Sequence, residues 1–130
     1  MKRKAYKRHK RRAHRLFKQW IPVLGLGYWH IEIDWYDDTV EFAKGENRTT
    51  AMRIDTDWHY CRARVSICVP MIATLDDATL DWAVCHELCH ALVNELREPD
   101  GDRKHEERVA TMLAKAFIWT RDMTRDEAKA

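Results

Sequence analysis

No stretch of this 130-residue chain is long and apolar enough to cross a membrane. No Cys-x-x-Cys pair is present, so the four cysteines (Cys61, Cys68, Cys85 and Cys89) do not spell a zinc finger. Cys85 and Cys89 lie four apart, a poor spacing for a disulfide on one helix. The thiols are therefore expected to be reduced and the protein cytoplasmic. No secretory leader is expected either. The apolar piece "WIPVLGLGYW" is short and runs straight into "HIEIDW" without a small-residue cleavage site. Acid is absent from residues 1 to 20, which hold ten Lys or Arg. The remaining 110 residues then carry 13 bases against 21 acids, a net of −8. This pattern reads as a basic N-terminal arm, residues 1–20, on a single acidic domain, residues 21–130. The length suits one domain with a real core, and the mixed charge suits a folded globular protein.

The hydrophobic pattern predicts the elements. Residues 2 to 20 can form a helix with an apolar end at Leu16, Phe17 and Trp20, the first dozen residues ordering only on an anion. Pro22 and Gly25-Leu26-Gly27 form a connector. "YWHIEIDWY" (28 to 36) alternates, with Trp29, Ile31, Ile33 and Trp35 on one face. Residues 49 to 58 and 61 to 69 alternate again, and their short linker predicts an antiparallel hairpin ended by Pro70. "TLDD" then starts a helix, capped by Thr74 or Asp76 and running to about Arg97, where Pro99, Asp100 and Gly101 stop it. A second helix follows from about Arg103 to Thr120. The order β-β-β-α-α implies an α+β domain: a small antiparallel sheet with helices on one face.

The segment "DWAVCHELCHALVNEL" carries the chemistry. His86 and His90, four apart, share one helix face and can both reach one metal ion. Glu87 cannot easily ligate alongside them, but it can reach a metal-bound water and act as general base. The bland alternative is a helix that merely contains two satisfied histidines. A third ligand separates the readings. A metzincin arrangement would need Gly and His where Val93 and Leu96 stand, and it is excluded. The next candidates are His105, Glu106 and Glu107.

With "WHIEIDW", "RARVSICVP", "VCHELCHAL" and "EERVATMLAKAF" in this order, the chain resembles small gluzincin-type HExxH metallopeptidases, including compact phage and bacterial members and the core of peptidases that cleave phage repressors. The resemblance covers roughly residues 28 to 119 and implies a zincin-like minimal core. It implies Zn2+ held by His86, His90 and Glu107, Glu87 as catalytic base, and hydrolysis of peptide bonds in a protein or peptide substrate. The ligand Glu of that family is followed by small, polar, large apolar and small residues. From Glu107 these read Ala110, Thr111, Leu113 and Ala114, whereas Glu106 lacks the polar one. Thr111 is then expected to support a ligand histidine through its outer nitrogen. A weaker resemblance to Spartan/SprT-like peptidases would make His105 the third ligand, although Glu106 stands where their Gly is usual.

Other residues read more plainly. Cys85 and Cys89 are expected to be small buried residues, and Trp29, Trp35, Trp58 and Trp82 to be core. His59 or Tyr60 can stabilise an oxyanion, and nothing selects between them. His9, His14 and His30 are expected in solvent. The arm, residues 2–18, offers contacts to nucleic acid or to an acidic partner, and no membrane contact is expected. The competing function is a non-enzymatic nucleic-acid-associated or interaction protein whose zinc site is structural.

Overall fold

The fold is seen in a computed structural model that describes residues 1–42, 51–94 and 103–129. The first helix, α1 (Arg3–Val23), crosses the boundary at residue 20. Its bases are mostly exposed, while Ala13, Phe17 and Trp20, at helical spacing, are buried in the common core. The helix takes in residues 3 to 12 as well, where Arg12 pairs with Asp77 and Lys10 lies over the Trp35 ring. Burying a side chain such as Phe17 contributes about 1.5–3 kcal/mol, enough to hold a helix whose charges otherwise repel. Pro22 falls in the last turn rather than ending the helix at its own position. The turn closes past it through Leu24 N–H to Trp20 O (2.9 Å), and Gly25 takes φ +73° to leave the helix.

Three strands follow: β1 (His30–Tyr36), β2 (Met52–Asp57) and β3 (Arg62–Cys68). The sheet order is β1-β3-β2. β2 and β3 form the expected antiparallel hairpin, joined by a 3-10 turn (Trp58–Tyr60) and by Cys61 at φ +50°. The wholly antiparallel sheet does not hold, because β1 pairs parallel with β3. Strand direction still alternates along the chain. β3, the most buried strand, takes the central position between β1 and β2 and so meets β1 running the same way. Rungs of apolar residues result: Ile33, Val65 and Ile54 form one, and Trp35, Ile67 and Met52 the next.

Two short helices flank the sheet, α2 (Thr39–Phe42) and α3 (Val69–Ile72), which has Pro70 in its first turn. The central helix is α4 (Asp77–Val93). Asp76 caps it by accepting from Thr79 N–H at 2.8 Å. Its buried residues, among them Leu80, Val84, Leu88 and Ala91, leave almost no solvent face in its second half, as befits a helix between other layers. The expected end near Arg97 and the stop at Pro99, Asp100 and Gly101 lie outside the described residues, as does the start of the second alternating stretch at residues 49 and 50. The last helix, α5 (Arg103–Lys129), runs nine residues beyond Thr120. Ala110 and Ala114 are fully buried, so α5 approaches α4 closely.

One carboxylate ties three helices together. Asp81 of α4 accepts from Trp20 Nε1 of α1 at 2.8 Å and pairs with Arg121 of α5 at 2.7 Å. Arg12 adds a second link from α1, donating to Asp77 (2.8 Å) and to the Leu75 carbonyl (3.0 Å). Among the described residues, no helix is long and apolar enough to cross a membrane.

Candidate metal centre

His86 and His90 stand one turn apart on α4, their ring centroids separated by 5.0 Å. Both are buried, at 8 % exposure each. Glu107 comes from the first turns of α5 and closes on both rings. Its Oε1 is 2.7 Å from His86 Nε2 and its Oε2 is 3.2 Å from His90 Nε2. The potential ligand atoms of the three residues lie within 4.8 Å of one another. Ligands about 2.0–2.1 Å from a tetrahedral zinc stand roughly 3.3 Å apart, so the donor set fits such an ion with little rearrangement. Glu107 is half exposed, so solvent reaches the cluster from the carboxylate side.

Charge and burial suit a cation here. Burial lowers the basicity of His86; the Glu107 charge acts to raise it and His90 to lower it, with a net fall. Its ring is therefore neutral at pH 7, the form that ligates a metal. Glu87 lies beside the cluster, with Oε1 3.9 Å from His86 Nδ1. Burial, and then the neighbouring Glu107 charge, push its carboxyl up to about 8. A divalent cation beside it would favour the ionised form.

His105, Glu106 and Glu107 take three different places. Glu107 is in the cluster. His105 is exposed, with its Nδ1 3.3 Å from Arg108 Nη2. Glu106 is buried behind His90, accepting from His90 Nδ1 at 2.9 Å. That bond puts the proton on Nδ1 and turns the Nε2 lone pair toward Glu107. The sequence reading missed this role because it weighed Glu106 only as a ligand. The available signal was a buried-side acid one residue before the ligand on the same helix.

Thr111 differs from its expected place. Its Oγ1 is 3.4 Å from His86 Nε2, the inner nitrogen that faces Glu107, rather than the outer one. Trp82, one turn before His86, stacks on that ring at 4.6 Å and 25°. The i−4 spacing was the signal for this contact. Cys85 and Cys89 are buried and free, outside the cluster. Their mutual hydrogen bond, with burial, pushes the Cys85 thiol up. Trp29 and Trp35 pack against the core, whereas Trp58 and Tyr60 are exposed on the turn between β2 and β3. His14 and His30 are exposed, but His9 is half-buried and its Nδ1 contacts Arg12. The His86–His90–Glu107 group can hold a metal ion, and among the described residues it is the one group of three that can. No protein-family model, curated protein or solved structure matches the chain, so its function is inferred from this geometry and from the sequence.

Proposed function

We propose that the protein is a zinc-dependent metallopeptidase of the compact gluzincin kind, with His86, His90 and Glu107 as ligands and Glu87 as general base. The observation that carries this reading is the convergence of Glu107, from a separate helix, on both Nε2 atoms with Glu87 alongside. Zinc held there supplies a Lewis acid and lowers the pKa of a bound water toward about 7.

The chain's own residues do the rest. Glu106 holds the His90 ring in the ligating tautomer through Nδ1. Trp82 fixes the plane of the His86 ring. The Glu87 carboxylate takes a proton from the attacking water and delivers it to the leaving amine nitrogen. β2 is an edge strand that packs against α4, so an extended peptide can add to it by main-chain hydrogen bonds. Four free thiols fit a reducing, cytoplasmic setting.

A structural zinc site is closed by four protein ligands, whereas three ligands and a solvent-facing side favour catalysis over a purely structural role. The test is Glu87→Gln, with zinc content and turnover of unfolded protein substrates measured together. Gln is nearly isosteric but cannot take the proton. The variant is expected to keep its zinc and lose hydrolysis. Unchanged turnover at equal zinc content would remove Glu87 from this role and the mechanism with it.

A further inference from the structure

α1 has a use that the metal cluster does not explain. Of the ten bases from Lys2 to Lys18, nine of them on α1, two are engaged within the protein: Arg12 on Asp77, and Lys10 over the Trp35 ring at 5.3 Å. The other eight (Lys2, Arg3, Lys4, Lys7, Arg8, Arg11, Arg15 and Lys18) are exposed. No acid precedes Glu32, so no carboxylate on this helix neutralises them. Lys4, Arg8, Arg11, Arg15 and Lys18 recur at alternating steps of four and three residues, which places them in one stripe. From Lys4 to Lys18 the stripe covers about 21 Å at 1.5 Å per residue. Lys2, Lys4, Ala5, Arg8 and Arg11 also line an open depression of about 280 Å³ at its start.

We propose that this face of α1 binds the phosphate backbone of nucleic acid, without reading base sequence. The five bases of the stripe can meet up to about five phosphates of a duplex, whose two strands together carry one charge per roughly 1.7 Å of axis. Ala13, Phe17 and Trp20 pack the opposite side of the helix on the core, so the stripe faces away from it. An anionic membrane fits less well. Helices that lie on a bilayer bury an apolar face in it, and the apolar side of α1 already faces the protein core. An acidic protein partner also fits less well. Protein interfaces are anchored by buried aromatic or aliphatic side chains, and no large apolar side chain is exposed between Lys2 and Pro22.

The experiment compares the full chain with two variants. One replaces Lys4, Arg8, Arg11 and Arg15 with Gln; the other replaces Lys2, Arg3, Lys4 and Lys7 with Gln. All of these side chains are exposed, and circular dichroism and a thermal melt verify that each variant folds. Each protein is titrated with a random-sequence 24-bp DNA duplex, the matching single strand, an RNA duplex, and vesicles of phosphatidylcholine with phosphatidylserine. Salt runs from 50 to 200 mM. With five phosphate contacts, the duplex affinity of the unaltered protein should fall about 500-fold over that range, at a slope of about 0.9 per contact. The first variant keeps only Lys18 of the stripe, which should reduce that fall to about fourfold, whereas the second loses only Lys4 of it and should reduce the fall to about 150-fold. Similar binding by both duplexes, with the salt dependence flattened strongly in the first folded variant and only slightly in the second, supports the proposal. Three results overturn it: no nucleic-acid binding at 50 mM salt, equal salt slopes for variants and parent, or tighter binding to the vesicles than to any nucleic acid.

Discussion

Replacing Glu106 with Ala probes the part of the metal centre that stands behind the ligands. The carboxylate is buried, at 1 % exposure, and accepts from His90 Nδ1 at 2.9 Å. Without it, His90 is free to rotate or to put its proton on Nε2, the atom that faces Glu107 at 3.2 Å. Partners of this kind are worth about 10- to 100-fold in metal affinity, or roughly 1.4–2.7 kcal/mol. The apo protein should also lose stability, because removing one member of a buried pair strands the other. The loss is about 1–3 kcal/mol, the cost of leaving the buried His90 Nδ1–H without an acceptor. Glu106→Gln keeps the volume and an acceptor oxygen, so it should fall between the parent and Glu106→Ala. The assay is zinc competition against a chelator of known affinity, with a denaturant melt of each apo protein. A weakening within the 10- to 100-fold window in the Ala variant, partly restored by Gln, is expected. Parental zinc affinity in a folded Glu106→Ala protein would refute the idea that Glu106 orients His90.

The packing sets three further outcomes. His86→Ala and His90→Ala should each lose zinc from a one-equivalent complex and lower its melting temperature, read by metal analysis and a thermal scan, since the ion would link α4 to α5. Ala114→Leu should destabilise by about 1–3 kcal/mol and weaken zinc binding, because Ala114 is fully buried and the larger side chain pushes α5, and Glu107 with it, away from α4; a denaturant melt and the chelator assay check this. Burial alone would raise the Asp81 carboxyl, but hydrogen bonds from Arg121 and Trp20 outweigh it and hold its pKa below the usual range. Its contribution is therefore present above the unfolded carboxylate pKa, about 3.9, and is lost as pH falls through the lower folded value. Asp81→Asn should cost about 1–2 kcal/mol at pH 7, less than a fully buried pair because Arg121 keeps Asp122. The gap to the parent in urea melts should close below pH 4.

Much of this arrangement was legible in local pattern. The i, i+4 histidines, the Asp76 cap and the β2–β3 hairpin all rest on contacts close in sequence, where spacing decides geometry. The small residues Ala110 and Ala114 marked the face on which α5 meets α4. What escaped the sequence depends on distant partners. The parallel pairing of β1 with β3 is set by which strand is buried most deeply, and alternation within one strand does not reveal its neighbour. Phe17 and Trp20 marked the apolar end of α1, but Ala13, set among the bases, gave no sign of its burial in the core. The roles of Glu106 and Glu107 are opposite though they are adjacent. Neighbouring positions on a helix differ by about 100°, so one carboxylate turns behind His90 while the other faces its Nε2.

The proposed mechanism requires one zinc ion among His86, His90 and Glu107 with an open position. X-ray absorption at the zinc edge, on protein loaded with one equivalent of zinc, tests it most directly. Nitrogen and oxygen neighbours only are expected, at about 2.0–2.2 Å, with an imidazole signature from two histidines. Sulfur neighbours at about 2.3 Å would instead place the ion on Cys85 or Cys89 and contradict the claim, as would failure of the protein to retain zinc at all.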